Sequence, residues 1–223
     1  MYKYKKSKFL VLIPAFNELN NLKKFVKKID KFVPVYILDD CSKDNTEEWL
    51  IKNKVNYCKN KKNLGYEINL LNGIKKFKNK CEFLITFDGD GQHKISDLKK
   101  IIKMKMNYDI IVCNRKNKNR PLEEMISKIS YVFFGIKDPL TGFKVYNTNI
   151  LNNFYFNRIK KLFLVDFLLT FLNQDLNIIN YAIKTNKRNG TPRVGNFIGL
   201  SIKESKILIR LITRKISIML FNK

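Results

Sequence analysis

What this chain lacks narrows it first. It has one histidine, His93, in 223 residues. A second histidine to complete a zinc site does not exist, so His93 reads as a loop residue rather than a metal ligand. The four cysteines, Cys41, Cys58, Cys81 and Cys113, lie far apart and form no CxxC pair. That spacing excludes a disulfide framework and fits a reducing compartment, with Cys58, Cys81 and Cys113 as small buried hydrophobes in strand-like runs. No GxGxxG follows the first apolar run and no GxxxxGK[ST] occurs, which disfavours a dinucleotide fingerprint and a P-loop. No stretch has the ~18 uncharged apolar residues of a membrane-spanning helix. Leu162 to Leu172 is apolar but short, and it carries Asp166. Met1 to Lys8 is basic, but Phe9 to Ile13 is too short for the apolar region of a signal peptide and runs into Pro14. Internal repeats, low-complexity linkers, and zinc-finger, RRM and KH signatures are missing as well.

Acids are scarce. Asp and Glu number 19 against 44 Lys and Arg, a net charge of +25. A bias towards Lys, Asn and Ile produces such a balance without function, so the charge only names compatible partners: an anionic membrane surface, a phosphorylated substrate or nucleic acid. Apolar residues make up 45%, enough for a substantial core in one large domain or one domain with an appendage.

The few acids present are concentrated. Phe83 to His93 (FLITFDGDGQH) is a short apolar run that opens into Asp88, Asp90 and Gln92, spaced two apart with glycines between. Along an extended backbone, alternate residues point the same way, so three oxygen-bearing side chains converge. Hard divalent cations take such donors. Gly89 and Gly91 leave room beside them and permit unusual backbone angles. The same run is also that of a surface turn, and the stretch alone leaves both readings open. An EF-hand loop is excluded, because the twelfth position from Asp88 is Lys99 rather than Glu.

Strand-like and helix-like segments alternate over the first 113 residues. Strands are expected at Lys8–Ile13, Val35–Leu38, Val55–Cys58, Phe83–Phe87 and Asp109–Cys113. Helices are expected at Leu19–Phe32, Glu47–Lys52, Glu67–Phe77 and from a Ser96 cap to Met106. The pattern predicts an α/β fold with a mostly parallel sheet flanked by helices. PAFNE (Pro14–Glu18), Asp39-Asp40 and the Asp88 loop then share the C-terminal rim, where such sheets gather ligands. Further on, Asn114–Arg120 is a basic loop, Glu123–Phe134 a helix, and Asp138–Tyr146 a turn into a strand. A short helix follows from Asn147, then a buried helix at Leu164–Leu172 and a strand at Ile178–Ile183. Lys187–Gly195 is a second basic loop. Ile202–Leu220 is a final helix, with Leu208, Ile209, Ile212, Ile216 and Met219 on one face and Lys203, Lys206, Arg210 and Arg214 mostly off it. A basic amphipathic helix lies in a membrane interface or packs on its domain, and both readings stand.

Five motifs in order, IPAFNE, LDDCSKDNT, NLGYEINLLNGI, FDGDGQH and DPLTGFKVY, resemble family-2 glycosyltransferases of the GT-A fold. The likeness spans roughly Phe9 to Gly195. It is nearest to the branch that includes dolichyl-phosphate mannose synthase and polyprenyl-phosphate glycosyltransferases. The resemblance implies a catalytic domain over residues 1–198 with an appended helix over 199–223. It also implies inverting transfer from a UDP- or GDP-linked sugar to a polyprenyl phosphate at the cytoplasmic face of a membrane, with peripheral attachment, a membrane-protein partner or a homo-oligomer. By the same resemblance Pro14, Ala15, Asn17 and Glu18 hold the nucleoside, Glu18 at the ribose, with Asp40 at the base. Asp39 supports that loop, and Gly65 and Gly89 line the donor pocket. Asp88, Asp90 and Gln92 match the DxDxQ motif that holds Mg2+ or Mn2+ against the diphosphate. Arg115, Arg120, Ser127, Arg188 and Arg193 fall on acceptor-phosphate positions, and Asp166 supports the acceptor side. Asp90, Arg115, Arg188 and Asp166 form the implied catalytic set.

Departures from the pattern are specific. Cys41 replaces the glycine of DDGS. Glu123 stands where lipid-phosphate members carry an arginine four residues before the serine matched by Ser127. Pro192 replaces a serine, and Asn180 and Ala182 replace Glu and Pro. The alternative in the same fold, transfer to a hydroxyl of a surface glycan, needs a carboxylate base such as Asp138 or Asp166. A basic nucleic-acid-binding protein is the remote alternative.

Overall fold

A computed structural model describes residues 7–116, 118, 120–152, 176–186 and 197–221. The first strand, β1 (Ser7–Ala15), sets the frame. Leu10 and Leu12 point into one apolar layer while Val11 and Ile13 point into the other, and all four are buried. Period-two alternation with both faces covered explains the unbroken run FLVLI. Helix α1 (Leu19–Asp30) buries Leu22, Phe25, Val26 and Ile29 and leaves its lysines outside. Strand β2 (Val35–Asp39), helix α2 (Thr46–Lys52), strand β3 (Tyr57–Lys59) and helix α3 (Tyr66–Phe77) follow. Next come β4 (Cys81–Thr86), α4 (Ile95–Ile102) and β5 (Ile110–Arg115). The second half adds α5 (Pro121–Phe134), β6 (Lys144–Asn147), α6 (Thr148–Asn152), β7 (Ile178–Ile183) and α7 (Phe197–Phe221).

The sheet has the order β3-β2-β1-β4-β6-β5-β7. Pairings among β1 to β4 and between β5 and β7 are parallel, whereas β6 runs antiparallel to both β4 and β5. The expected α/β architecture with a mostly parallel sheet is therefore found. The position of β6 carries the segment before it, residues 138–143, to the rim where β4 ends.

Local details differ from expectation. Ser96 does not cap α4; the cap position is Lys94, in an extended conformation, and Ser96 lies inside the first turn. Helix α5 starts at Pro121, whose fixed φ suits the first helical position and whose missing N–H costs nothing there. In α7 the inward residues are Glu204, Ile207 and Leu211, with Ile207 and Leu211 packed on Ile126 of α5, while Ile209, Ile212 and Ile216 are exposed. Of the expected apolar face, Ile209, Ile212 and Ile216 are thus outward, whereas Leu208 is partly buried against the Ile126 cluster. The predicted Leu164–Leu172 helix and Lys187–Gly195 loop lie outside the described residues.

Candidate active site

Three loops at the rim are sewn together by backbone and side-chain bonds. Asn17 has φ of 52°, and its Oδ1 accepts from the Lys43 N–H at 2.6 Å and the Asp44 N–H at 3.3 Å. Its own N–H donates to Ser42 Oγ. Asn tolerates the left-handed region better than most side chains, so PAFNE turns here without glycine. Glu18 is buried, and its Oε2 accepts from Asn21 Nδ2 at 2.6 Å. The Asp40 N–H donates to Ala15 O at 2.8 Å, which pins the second loop to Pro14-Ala15 at the end of β1.

The paired acids divide their work unexpectedly. Asp40, assigned to the base, accepts from Asn60 Nδ2 and the Leu64 N–H through Oδ1, and from the Gly65 N–H through Oδ2. Both its oxygens hold the turn before α3. Gly65, at φ of 84°, supplies a conformation that other residues enter with strain. Asp39, assigned only to support, accepts from the Ser42 N–H with Oδ1 and keeps Oδ2 buried with no hydrogen-bond partner among the described residues. Burial raises its pKa above the ordinary carboxylate value despite Ser42. Among the described residues the carboxylate with an acceptor to spare is therefore Asp39 rather than Asp40.

Cys41 follows at φ of 64°. An L side chain there carries strain of about 1–2 kcal/mol, while glycine loses about 0.5–1 kcal/mol through the unfolded chain. We expect Cys41→Gly to leave stability unchanged or raise it by up to about 1 kcal/mol in urea denaturation, with activity retained.

At the end of β4, both oxygens of Asp88 are engaged. Oδ1 accepts from Tyr66 Oη at 2.6 Å, and Oδ2 accepts from His93 Nε2 at 2.9 Å. Burial opposes the charge of Asp88, but the His93 and Tyr66 hydrogen bonds and the Arg115 charge outweigh it and hold the carboxyl down to about 2. His93 is therefore more than a loop residue: it is buried, packed between Phe87 and Phe143, and clamps Asp88. Asp90 and Gln92 are half-buried, and Asp90 Oδ1 accepts from the Gln92 N–H. Gly89 is required by proximity, since a Cβ there would meet Pro14 O at 2.8 Å.

The wall opposite is residues 138–144. A Cβ on Gly142 would lie 1.9 Å from Asp88 Oδ1. Thr86 Oγ1 donates to Gly142 O at 2.7 Å, and the fully buried Lys144 donates from Nζ to the carbonyls of Pro139 and Thr141. Burial pulls the Lys144 pKa down to about 8, against the charges of Asp138 and Asp88. With Tyr66 and His93 bonded to the same carboxylate, Gly142→Ala must displace Asp88 from these bonds or push back the wall. A shift of about 1 Å in a reacting site costs on the order of a hundredfold in rate, so we expect kcat to fall by about that factor and the metal requirement to rise, measured by initial rates against metal concentration.

Arg115, at the end of β5, meets Asp138 as a fork: Nε to Oδ2 at 2.8 Å and Nη2 to Oδ1 at 3.1 Å, with its backbone N–H also donating to Oδ2. Burial works against the Asp138 charge, but Arg115 and Lys118 outweigh it and lower the pKa. A sealed, ion-paired carboxylate of that kind is no general base, which removes Asp138 from the hydroxyl-acceptor reading. Glu123 approaches Arg115 Nη1 at 3.6 Å and pairs with Arg120, which also reaches Glu204 of α7 at 2.6 Å. Arg115 and Arg120 are thus joined through Glu123, the residue that replaces an arginine. Arg120 Nη1 and Ser127 Oγ are enclosed and have no hydrogen-bond partner among the described residues. Arg188, Arg193 and Asp166 lie outside the described residues. Asn186, just before the second basic loop, donates its N–H to Gln92 O at 2.8 Å. Tyr66, His93, Gly142 and Lys144 were not among the expected site residues; the positive φ and close-approach roles of glycine were the only local signals available.

An α/β sheet with one inserted antiparallel strand and acid-bearing loops gathered on its parallel rim defines a transferase of the GT-A fold. Residues 10–168 match the family model of Glycosyl transferase family 2, and the chain belongs to that family. It is 33% identical over 171 residues to an uncharacterized protein of Methanocaldococcus jannaschii, covering 66% of this chain and 75% of that protein. It is 27% identical over 175 residues to the UDP-N-acetylglucosamine–dolichyl-phosphate N-acetylglucosaminyltransferase of Methanococcus voltae, covering 63% and 70%. Among solved structures it is similar to glucosyl-3-phosphoglycerate synthase of Mycobacterium tuberculosis in complex with Mn2+, UDP-glucose and phosphoglyceric acid. That likeness has a TM-score of 0.70, with 13% identity and coverage of 94% of this chain and 80% of the other.

Proposed function

We propose that this glycosyltransferase moves a monosaccharide, with inversion, from a nucleotide-diphosphate sugar to a polyprenyl phosphate at the cytoplasmic face of a membrane. Residues 1–198 form the catalytic unit in this reading, and residues 199–223 the membrane-facing helix. The single observation that carries the acceptor half is the pair of enclosed polar groups on and beside α5, Arg120 Nη1 and Ser127 Oγ, that find no protein partner among the described residues. Buried donors of this kind are matched by an anionic oxygen ligand. The Methanococcus voltae relative, by its name, uses a UDP-sugar and a dolichyl phosphate.

On the donor side, Pro14, Ala15, Asn17 and Glu18 frame the nucleoside, and Asp39 Oδ2 accepts from the base. Asp88, Asp90 and Gln92 would hold Mg2+ or Mn2+; their oxygens suit a hard cation, and the ionised state of Asp88 is secured by its neighbours. Among the described residues no group of three or more His, Cys, Asp or Glu could hold a metal ion by itself, and the donor's diphosphate oxygens would supply further ligands. A bound cation would offset the negative charge that gathers on the departing nucleoside diphosphate. A phosphate monoester is already anionic near neutral pH, its second pKa being about 6, so no strong general base is needed. The protein's part is to hold that phosphate beside the anomeric carbon, through Arg115, Arg120 and Ser127, with Arg188 and Arg193 following Asn186 in sequence. Arg115 acts here after loosening from Glu123 rather than from Asp138.

The test is a transfer assay with UDP- and GDP-sugars, Mn2+ and a short polyprenyl phosphate. The expected product is an acid-labile glycosyl phosphate. A stable glycoside formed on a glycan acceptor, with none on the lipid phosphate, would overturn the reading.

A further inference from the structure

Helix α7 has two apolar faces of opposite fate. Ile207 and Leu211 are packed against Ile126 of α5, and Glu204, on the same inward side, pairs with Arg120. On the outward side Ile202, Ile209, Ile212 and Ile216 are 52%, 60%, 38% and 50% exposed. Ile202, Ile209 and Ile216 recur every seven residues, so they form one stripe about 21 Å long at 1.5 Å per residue. Single exposed hydrophobics need no explanation, but four isoleucines on one helix face do.

The charges of the helix decide what covers the stripe. The sequence of the helix sets five basic residues, Lys203, Lys206, Arg210, Arg214 and Lys215, against one acid, Glu204, which is turned inward on Arg120. Lys206 and Arg210 are exposed. A second copy of this helix would bring like charges together along an apolar seam. An anionic lipid surface instead takes the isoleucines into its acyl boundary and the basic side chains among its headgroups. No helix among the described residues is long and apolar enough to cross a membrane, so the contact is along the surface.

We propose that the outward face of α7, centred on Ile202, Ile209, Ile212 and Ile216 and flanked by Lys206 and Arg210, docks flat on an anionic membrane surface. This deepens the lipid-acceptor reading above and names the surface it would use. The inner face of the same helix grips Arg120 through Glu204, so the docked helix lies one ion pair from the enclosed Arg120 guanidinium.

The experiment is co-sedimentation of the full chain with phosphatidylcholine vesicles, with and without phosphatidylglycerol and free of any polyprenyl phosphate. The expected result is binding that requires phosphatidylglycerol and weakens with salt. It should fall at least about tenfold in Ile209→Ser/Ile216→Ser and in Lys206→Glu/Arg210→Glu, both exposed pairs whose thermal transitions should stay close to that of the unaltered protein. Absence of vesicle binding would overturn the proposal. So would isoleucine variants that bind as well as the parent, or a dimer in sedimentation equilibrium that those variants dissociate. Vesicle binding here, combined with no transfer to polyprenyl phosphate in the separate assay above, would refute the lipid acceptor and leave this surface standing.

Discussion

Asp90→Ala should lower the rate of sugar transfer about a thousandfold or more, on the order of 4 kcal/mol of transition-state stabilisation, with the fold intact. Asp90 is half-buried, and its carboxylate accepts the N–H of Gln92 within its own loop. Losing one such bond costs about 1 kcal/mol of stability, so the variant should remain folded at assay temperature. Asp90→Asn keeps the shape and the acceptor oxygen while removing the charge. It should be nearly as inactive, because a hard cation held against a diphosphate needs the anion. Initial rates across a Mn2+ titration separate the cases: a weakened but surviving site recovers with added metal, whereas a purely structural lesion does not. Full transfer in the presence of EDTA, or by Asp90→Ala, would remove the metal from the proposal.

Asp138→Ala should be the most destabilising single change at the site, by about 3–5 kcal/mol. Asp138 is fully buried and faces Arg115 with both oxygens, with Lys118 at 3.8 Å. Its removal strands a buried guanidinium, and the fully buried Lys144 loses a favourable charge. Asp138→Leu combined with Arg115→Met removes both charges and should be less destabilised than Asp138→Ala, since the buried guanidinium is no longer left facing an apolar side chain and only Lys118 and Lys144 lose the Asp138 charge. Both variants should be inactive, and urea denaturation gives the ranking. The pH dependence has a definite sign. The native pKa of Asp138 is lowered, so its contribution is complete above the ordinary carboxylate range and is lost as the pH falls through the lowered value. The acid limb of the stability curve should flatten in the double variant.

The rim was legible because its signals are local. An apolar run that ends abruptly in Asp88-Gly-Asp90, or in Asp39-Asp40, announces a strand opening into a polar loop, and helices between such runs announce parallel pairing. Gly65 and Asn17 carry their own reasons in their backbone angles. The partners of those residues were not legible. Asp88 is held by Tyr66 and His93, 22 and 5 positions away, and Arg120 meets Glu204 across the whole second half of the chain. Glu123 looked like a lost arginine, yet in space it is the anion that joins two arginines. The bonding of Asp39 and Asp40 follows the same logic, because only the location of the Asn60–Gly65 turn decides which carboxylate that turn consumes. Helix α7 left its packing open for another reason: a helix apolar on two sides offers periodicity two solutions, and only the position of Ile126 chooses the inward one.

The antiparallel insertion of β6 has a consequence for synthesis on the ribosome. Strands β1 to β4 are complete once residue 86 has emerged, and among the described residues they pair with one another and, along one border of β4, with β6. Until Lys144–Asn147 arrives, Phe83, Leu84 and Ile85 end in an open hydrogen-bonding border, the kind that recruits foreign strands. The nascent chain must wait through β5 and α5 before that border closes. Closure by β6 delivers Gly142 against Asp88 and Lys144 beneath the turn in one event. Sealing the half-built sheet and finishing the wall of the acidic loop are thus one step of maturation, and a chain released before it would carry the motif without its enclosure.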